Sequence, residues 1–83
     1  MNYVDRYMMA QKKELQKAHN VRFTDYKQDY IIKYEGGLPE FISVYARPAG
    51  TTKTYRFAKG FPAYTLHSAE QVITKAKSLV GLK

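Results

Sequence analysis

Hydrophobic and polar positions change period along the chain, and the changes mark its elements. Over residues 3–19, Val4, Met8, Leu15 and Ala18 recur at spacings of three, four or seven, with Gln11 on the same row and Tyr7 at its border. That spacing predicts an amphipathic helix. Asn2 suits its N-cap, Asp5 places a negative charge in the first turn, and His19-Asn20 suits its end, because Asn tolerates the left-handed conformation. Arg6, Ala10, Lys13 and Lys17 form a second, basic row on the outer side.

From residue 21 the period falls to two. VRFTDYKQDYIIKYE alternates and is dense in β-branched and aromatic residues, which predicts two strands, about 21–26 and 30–35, around Lys27-Gln28-Asp29. One long strand with a bulge is the alternative. Gly36-Gly37-Leu38-Pro39 reads as a turn, Phe41–Arg47 as a strand, Pro48-Ala49-Gly50-Thr51 as a turn, and Lys53–Ala58 as another strand. Pro62 ends sheet pairing because it has no N–H to donate. The helical period returns after Ser68. Ser68-Ala69-Glu70-Gln71 fits a capping box, Val72, Ile73, Ala76, Leu79 and Val80 make an apolar stripe, and Gly81 stops the helix.

The order is α-β-β-β-β-α with short connections. It implies an antiparallel meander of three or four strands with both helices on one face, a two-layer α+β sandwich built as a single domain. Alternation then sorts the strand residues. Val21, Phe23, Tyr30, Ile32, Tyr34, Ile42, Val44, Ala46, Tyr55 and Phe57 fall toward the helices. Arg22, Thr24, Tyr26, Ile31, Lys33, Glu35, Phe41, Ser43, Tyr45, Arg47, Thr54 and Arg56 fall on the other side.

Composition narrows the function. With 83 residues the chain holds one small core, and eight Tyr with four Phe supply enough apolar mass to fold it. The absence of cysteine removes disulfides, thiolate catalysis, Cys-based zinc sites and iron–sulfur clusters. No apolar run reaches the length of a membrane span, and MNYVDRYMMAQKKEL lacks the pattern of a signal peptide, so a cytoplasmic protein is expected. Fourteen Lys and Arg against seven Asp and Glu give a net charge of +7, which favours acidic partners. Charge of that size also serves solubility.

No catalytic constellation is present. His19 and His67 are the only histidines. His67 precedes the capping Ser68 and lacks a third orienting group, and no spacing of His and carboxylates suits a metal. Asp25 and Asp29 flank Lys27 and read as a solvated turn. No enzyme activity, cofactor or metal is expected.

Lys59-Gly60-Phe61, followed by a helix, resembles the third-strand motif of RNA-recognition (RRM) domains, which opens basic, Gly, aromatic. That resemblance implies that Phe61 stacks on a base. The run departs at Pro62, Ala63 and Leu66, and no strand precedes the first helix. The helix–sheet–helix order is also similar to double-stranded RNA-binding domains, but the acidic first turn at Glu70 would repel phosphate.

The expectation is a non-enzymatic module that contacts nucleic acid through a basic, aromatic-studded sheet face. Arg22, Lys33, Tyr45, Arg47, Arg56 and Phe61 carry it, with Lys13 and Lys17 of the first helix. The alternative is a protein inhibitor or adaptor, of the kind that phage anti-defence (anti-CRISPR) proteins represent, which occludes a nucleic-acid-processing complex. An exposed edge strand could also pair two copies into a homodimer.

Overall fold

Ile32, Ile42 and Val44 leave one face of the sheet and bury completely against Leu15, Ala18, Val72 and Ala76. That meeting sets the architecture, since burying each large aliphatic side chain is worth about 1.5–3 kcal/mol. The computed structural model describes residues 3–37 and 40–82, and of residues 3–8 the backbone alone. Its elements are α1 (Tyr3–Gln16), β1 (Arg22–Thr24), β2 (Gln28–Gly36), β3 (Phe41–Pro48), β4 (Arg56–Pro62) and α2 (Ala69–Leu79). The four strands form one antiparallel sheet in the order β1-β2-β3-β4, with both helices supplying core residues to the same face.

Leu15 and Ala18 lie in the core as the helical spacing required. The cap at Asn2, the side chains of Val4, Asp5, Arg6, Tyr7 and Met8, and the Leu38-Pro39 part of the turn lie outside the described residues. α1 gives way to a turn after Gln16, and Asn20 takes the left-handed conformation at φ 66°. β1 then begins, and the Nδ1 of His19 accepts the backbone N–H of Tyr34 at 2.9 Å, which extends the β1–β2 ladder by one side-chain rung.

The turn between β1 and β2 sits earlier than alternation indicated. Asp25 accepts the backbone N–H groups of Lys27 and Gln28, each at 2.7 Å. This Asx-type turn leaves Gln28 and Asp29 free to open β2. Those two bonds also hold the Asp25 carboxyl below its usual range.

The larger departure is in β4. The strand spans Arg56–Pro62 rather than Lys53–Ala58, and residues 51–55 form a loop. Phe61 pairs with Ile42 and Val44 with Lys59, but Tyr45 then pairs with Phe57, so Ala58 is an extra residue in β4. Pro62 closes the strand opposite Phe41, at the end of an edge strand. Leu79 is also turned outward, while Val72 and Ala76 carry the buried stripe of α2. α2 is capped at Ser68, whose Oγ accepts from the Gln71 N–H, and Gln71 in turn accepts the His67 N–H. It ends in a Schellman motif, with the Gly81 N–H on the Ser78 carbonyl and the Leu82 N–H on that of Lys77.

Candidate binding face

The side of the sheet that faces away from the helices is built from rows that cross the strands. Register aligns Arg22, Ile31, Tyr45 and Phe57 in one row and Lys33, Ser43 and Gly60 in the next. Tyr45 and Phe57 meet edge to face, with ring centroids 5.9 Å apart. Phe41 lies over Gly60: a Cβ added there would stand 2.7 Å from Phe41 Cε1 and Cζ and 3.2 Å from Phe57 Cζ. The missing side chain of Gly60 is therefore the seat for two rings. Phe57 remains 60 % exposed and Phe41 38 %.

The loop before β4 returns Tyr55 to this face. The Arg47 guanidinium lies 4.3 Å from the Tyr55 ring centroid, a stacked cation–π contact. Arg47 Nε also faces Asp29 Oδ2 at 3.9 Å, an ion-pair distance too long for a hydrogen bond, and it is buried without a hydrogen-bond partner. Tyr55 and Tyr45, together with Arg22, Ile31 and Lys33, line a shallow depression at the centre of the face. Arg22 is exposed, and Lys33 is half-buried and donates to Asn20 Oδ1 at 2.5 Å.

The anticipated residues therefore divide. Arg22, Lys33, Tyr45 and Arg47 share this face. Arg56 does not: it pairs with Ala46, which packs on the core, so it sits on the helix side of the sheet. Phe61 is buried at 4 % exposure between β3 and the helices and cannot stack on a base. Tyr64, three residues further on, is exposed. Lys13 and Lys17 are exposed on the helix layer, across the protein from the open face, and Lys17 is engaged by Glu14 at 2.9 Å. Tyr55 and Phe57, assigned by alternation to the core, belong to the open face. Their transfer follows from the extra residue at Ala58, because one inserted residue exchanges the two faces for everything before it. Gly60 was the available signal, since a glycine inside a strand often marks a bulge or a close approach.

A second cluster lies on the covered side. The buried carboxylate of Glu40 receives the Tyr34 hydroxyl and lies 3.5 Å from Lys12 Nζ. Burial, and then the bond to Glu40, push Tyr34 up to about 12. Efficient general acids and bases titrate near the working pH. This cluster instead ties α1 to the β2–β3 end of the sheet. Among the described residues no group of three His, Cys, Asp or Glu could hold a metal ion, and no helix is long and apolar enough to cross a membrane.

No protein-family model matches the chain, and no curated protein or solved structure is significantly similar to it.

Proposed function

We propose that the open sheet face binds single-stranded nucleic acid by stacking unpaired bases on Phe57 and Tyr45. Phosphates would lie along Arg22, Lys33 and Arg47. The observation that carries this reading is Phe57, a large ring left 60 % exposed beside Tyr45 and seated on a glycine. Each stacked base is worth about 1–3 kcal/mol, without demanding a particular sequence. The central depression is apolar at Ile31 and rimmed by Arg22 and Lys33, with one carboxylate, Glu35, also on its lining, so it offers a flat ring an apolar floor and its phosphate two cations against one anion. The charge of +7 would draw a polyanion to it.

A protein partner is the second reading, in which the chain acts as an inhibitor or adaptor on a nucleic-acid-processing complex. The observation in its favour is that Lys33 and Arg47 already have partners in Asn20 and Asp29. Arg22 and the aromatic rings would then serve as contacts of the kind that dominate protein interfaces.

Fluorescence anisotropy with labelled oligothymidylate and oligouridylate of about ten nucleotides separates the two. Three phosphate contacts predict a log–log salt slope near −2, a roughly fifteen-fold loss between about 50 and 200 mM salt. No binding at the lower salt, or binding that ignores salt, rejects the nucleic-acid reading.

A further inference from the structure

The bulge at Ala58 sets the phase of the edge strand before it, so that ordinary alternation sends Phe57 to the open side and Arg56 to the helix side. Phe57 pairs with Tyr45 on the open side, and Arg56 pairs with Ala46 on the helix side. β4 is the last strand of the sheet, so only its own backbone separates the two sides at that edge. On the helix side Arg56 joins Lys53, Thr52 and Thr54 around a concavity floored by Ala46 and Pro48. Two cations and two hydroxyls line it, and no carboxylate does. All four of these side chains are exposed, and Arg56 and Lys53 have no ion-pair partner among the described residues. In that respect they differ from Arg47, held by Tyr55 and Asp29, and Lys33, held by Asn20.

We infer that this concavity is a phosphodiester-binding site, and that a single strand stacked on Phe57 crosses the edge at β4 to place its next phosphates against Lys53 and Arg56. The inference rests on the reading of the open face given above. It replaces the α1 lysines as the source of the remaining phosphate contacts. It also restricts the ligand to a single strand, because a duplex cannot present stacked bases to one side of a strand and its backbone to the other.

The test uses labelled oligothymidylate of about ten nucleotides and three variants of the whole chain: Lys53→Ala/Arg56→Ala, Lys13→Ala/Lys17→Ala and Phe57→Ala. The two double variants remove the same charge. With these two contacts added to the three on the open face the parent slope should steepen to about −3.5, and losing both should weaken binding at least about tenfold at low salt and return the slope to about −2. Lys53→Ala/Arg56→Ala is expected to do both, whereas Lys13→Ala/Lys17→Ala leaves the slope unchanged. Phe57→Ala should weaken binding at constant slope. Melting temperatures of all three should stay near that of the parent, because the altered side chains are exposed. Equal slope changes in the two double variants would mean that only overall charge matters and would overturn the inference. So would a Lys53→Ala/Arg56→Ala slope like the parent's, while a Phe57→Ala loss would leave the open-face reading standing. If the parent does not bind the oligomer at all, that reading fails first.

Discussion

The two sides of the sheet are made from alternate residues of the same strands and solve different problems. On the covered side Ile32, Ile42 and Val44 are fully buried, and branched aliphatic chains interlock with Leu15, Val72 and Ala76. On the open side no helix is present, yet Ile31 and Ser43 are also buried, between Arg22 and Tyr45 and between Lys33 and Gly60. Without a helix above them, their cover comes from the side chains around them on the same face. That local cover is enough to protect the centre of the sheet, and it does not require Phe57 to stand 60 % exposed. Single exposed apolar residues are ordinary, but here Phe41 and Phe57 stand exposed beside Tyr45 with cations next to them, the arrangement on which the proposed binding role rests.

If the covered side carries stability and the open side carries binding, truncations should separate cleanly. Ile42→Ala removes a buried chain from the middle of the core and should cost about 2–5 kcal/mol. A domain of this size has little more than that to lose. Urea denaturation followed by circular dichroism would show a large fall in midpoint, or no folded baseline. A loss below about 1 kcal/mol would mean that the core is far more yielding than its burial indicates.

Tyr34→Phe also acts on the covered side, with a smaller cost and a pH signature. The Tyr34 hydroxyl donates to the buried carboxylate of Glu40, and a hydrogen bond to a charged group contributes about 1.5–3 kcal/mol. The folded protein holds Tyr34 near 12 against an ordinary value of 10.0. Stability from that shift is complete below pH 10.0 and is lost as pH rises toward about 12, since the unfolded chain gives up its proton first. Tyr30 is raised as well, by burial and then by Asp25, so it adds to the same alkaline decline. Tyr34→Phe should therefore lower stability at neutral pH and make the alkaline decline shallower without abolishing it. An unchanged alkaline limb would show that Tyr34 ionises equally easily in both states.

Much of this division was legible in the sequence. Alternation over β2 and β3 placed Ile32, Ile42 and Val44 opposite Lys33, Tyr45 and Arg47, and the register confirms it. Element order and the capping of α2 at Ser68 were equally plain, because they depend on local chemistry. What escaped was the phase of one strand. Tyr55, Phe57 and Phe61 have the same parity, but the extra residue at Ala58 sends the first two outward and the third inward. The choice depends on Phe61 filling the space between Ile42 and the helices, a contact between distant segments that no local pattern encodes. The Lys59-Gly60-Phe61 signature was misleading for the same reason: its aromatic is a core residue, and its glycine is what seats the rings of Phe41 and Phe57 on the open side.

On the open side Phe57→Ala should do the reverse of Ile42→Ala. It removes an exposed ring, so stability should change by less than about 1 kcal/mol. Affinity for a single strand should fall roughly tenfold, the equivalent of one lost stacking contact. A large drop in melting temperature would place Phe57 in the structural frame and dissolve the contrast between the two sides.

The smallest stability effect is expected for Gly60→Ala, and it is the sharpest probe of the open side. The new Cβ would stand 2.7 Å from two ring atoms of Phe41 and 3.2 Å from Phe57, so the rings must move. They are exposed and free to swing outward, and alanine in a strand interior gains about 0.5–1 kcal/mol over glycine through lower chain entropy. The two terms oppose each other and leave stability within about 1 kcal/mol of the parent. Binding should nevertheless weaken, because the ring surface is displaced while every cation stays in place. Combining Gly60→Ala with Phe41→Ala tests the cause. Once the ring of Phe41 is gone the main clash disappears, so the two substitutions should weaken binding by less than the sum of their separate effects. Strict additivity would mean that Phe41 is not the ring seated on Gly60 when ligand binds, and that the open face is a set of separate side chains rather than one platform.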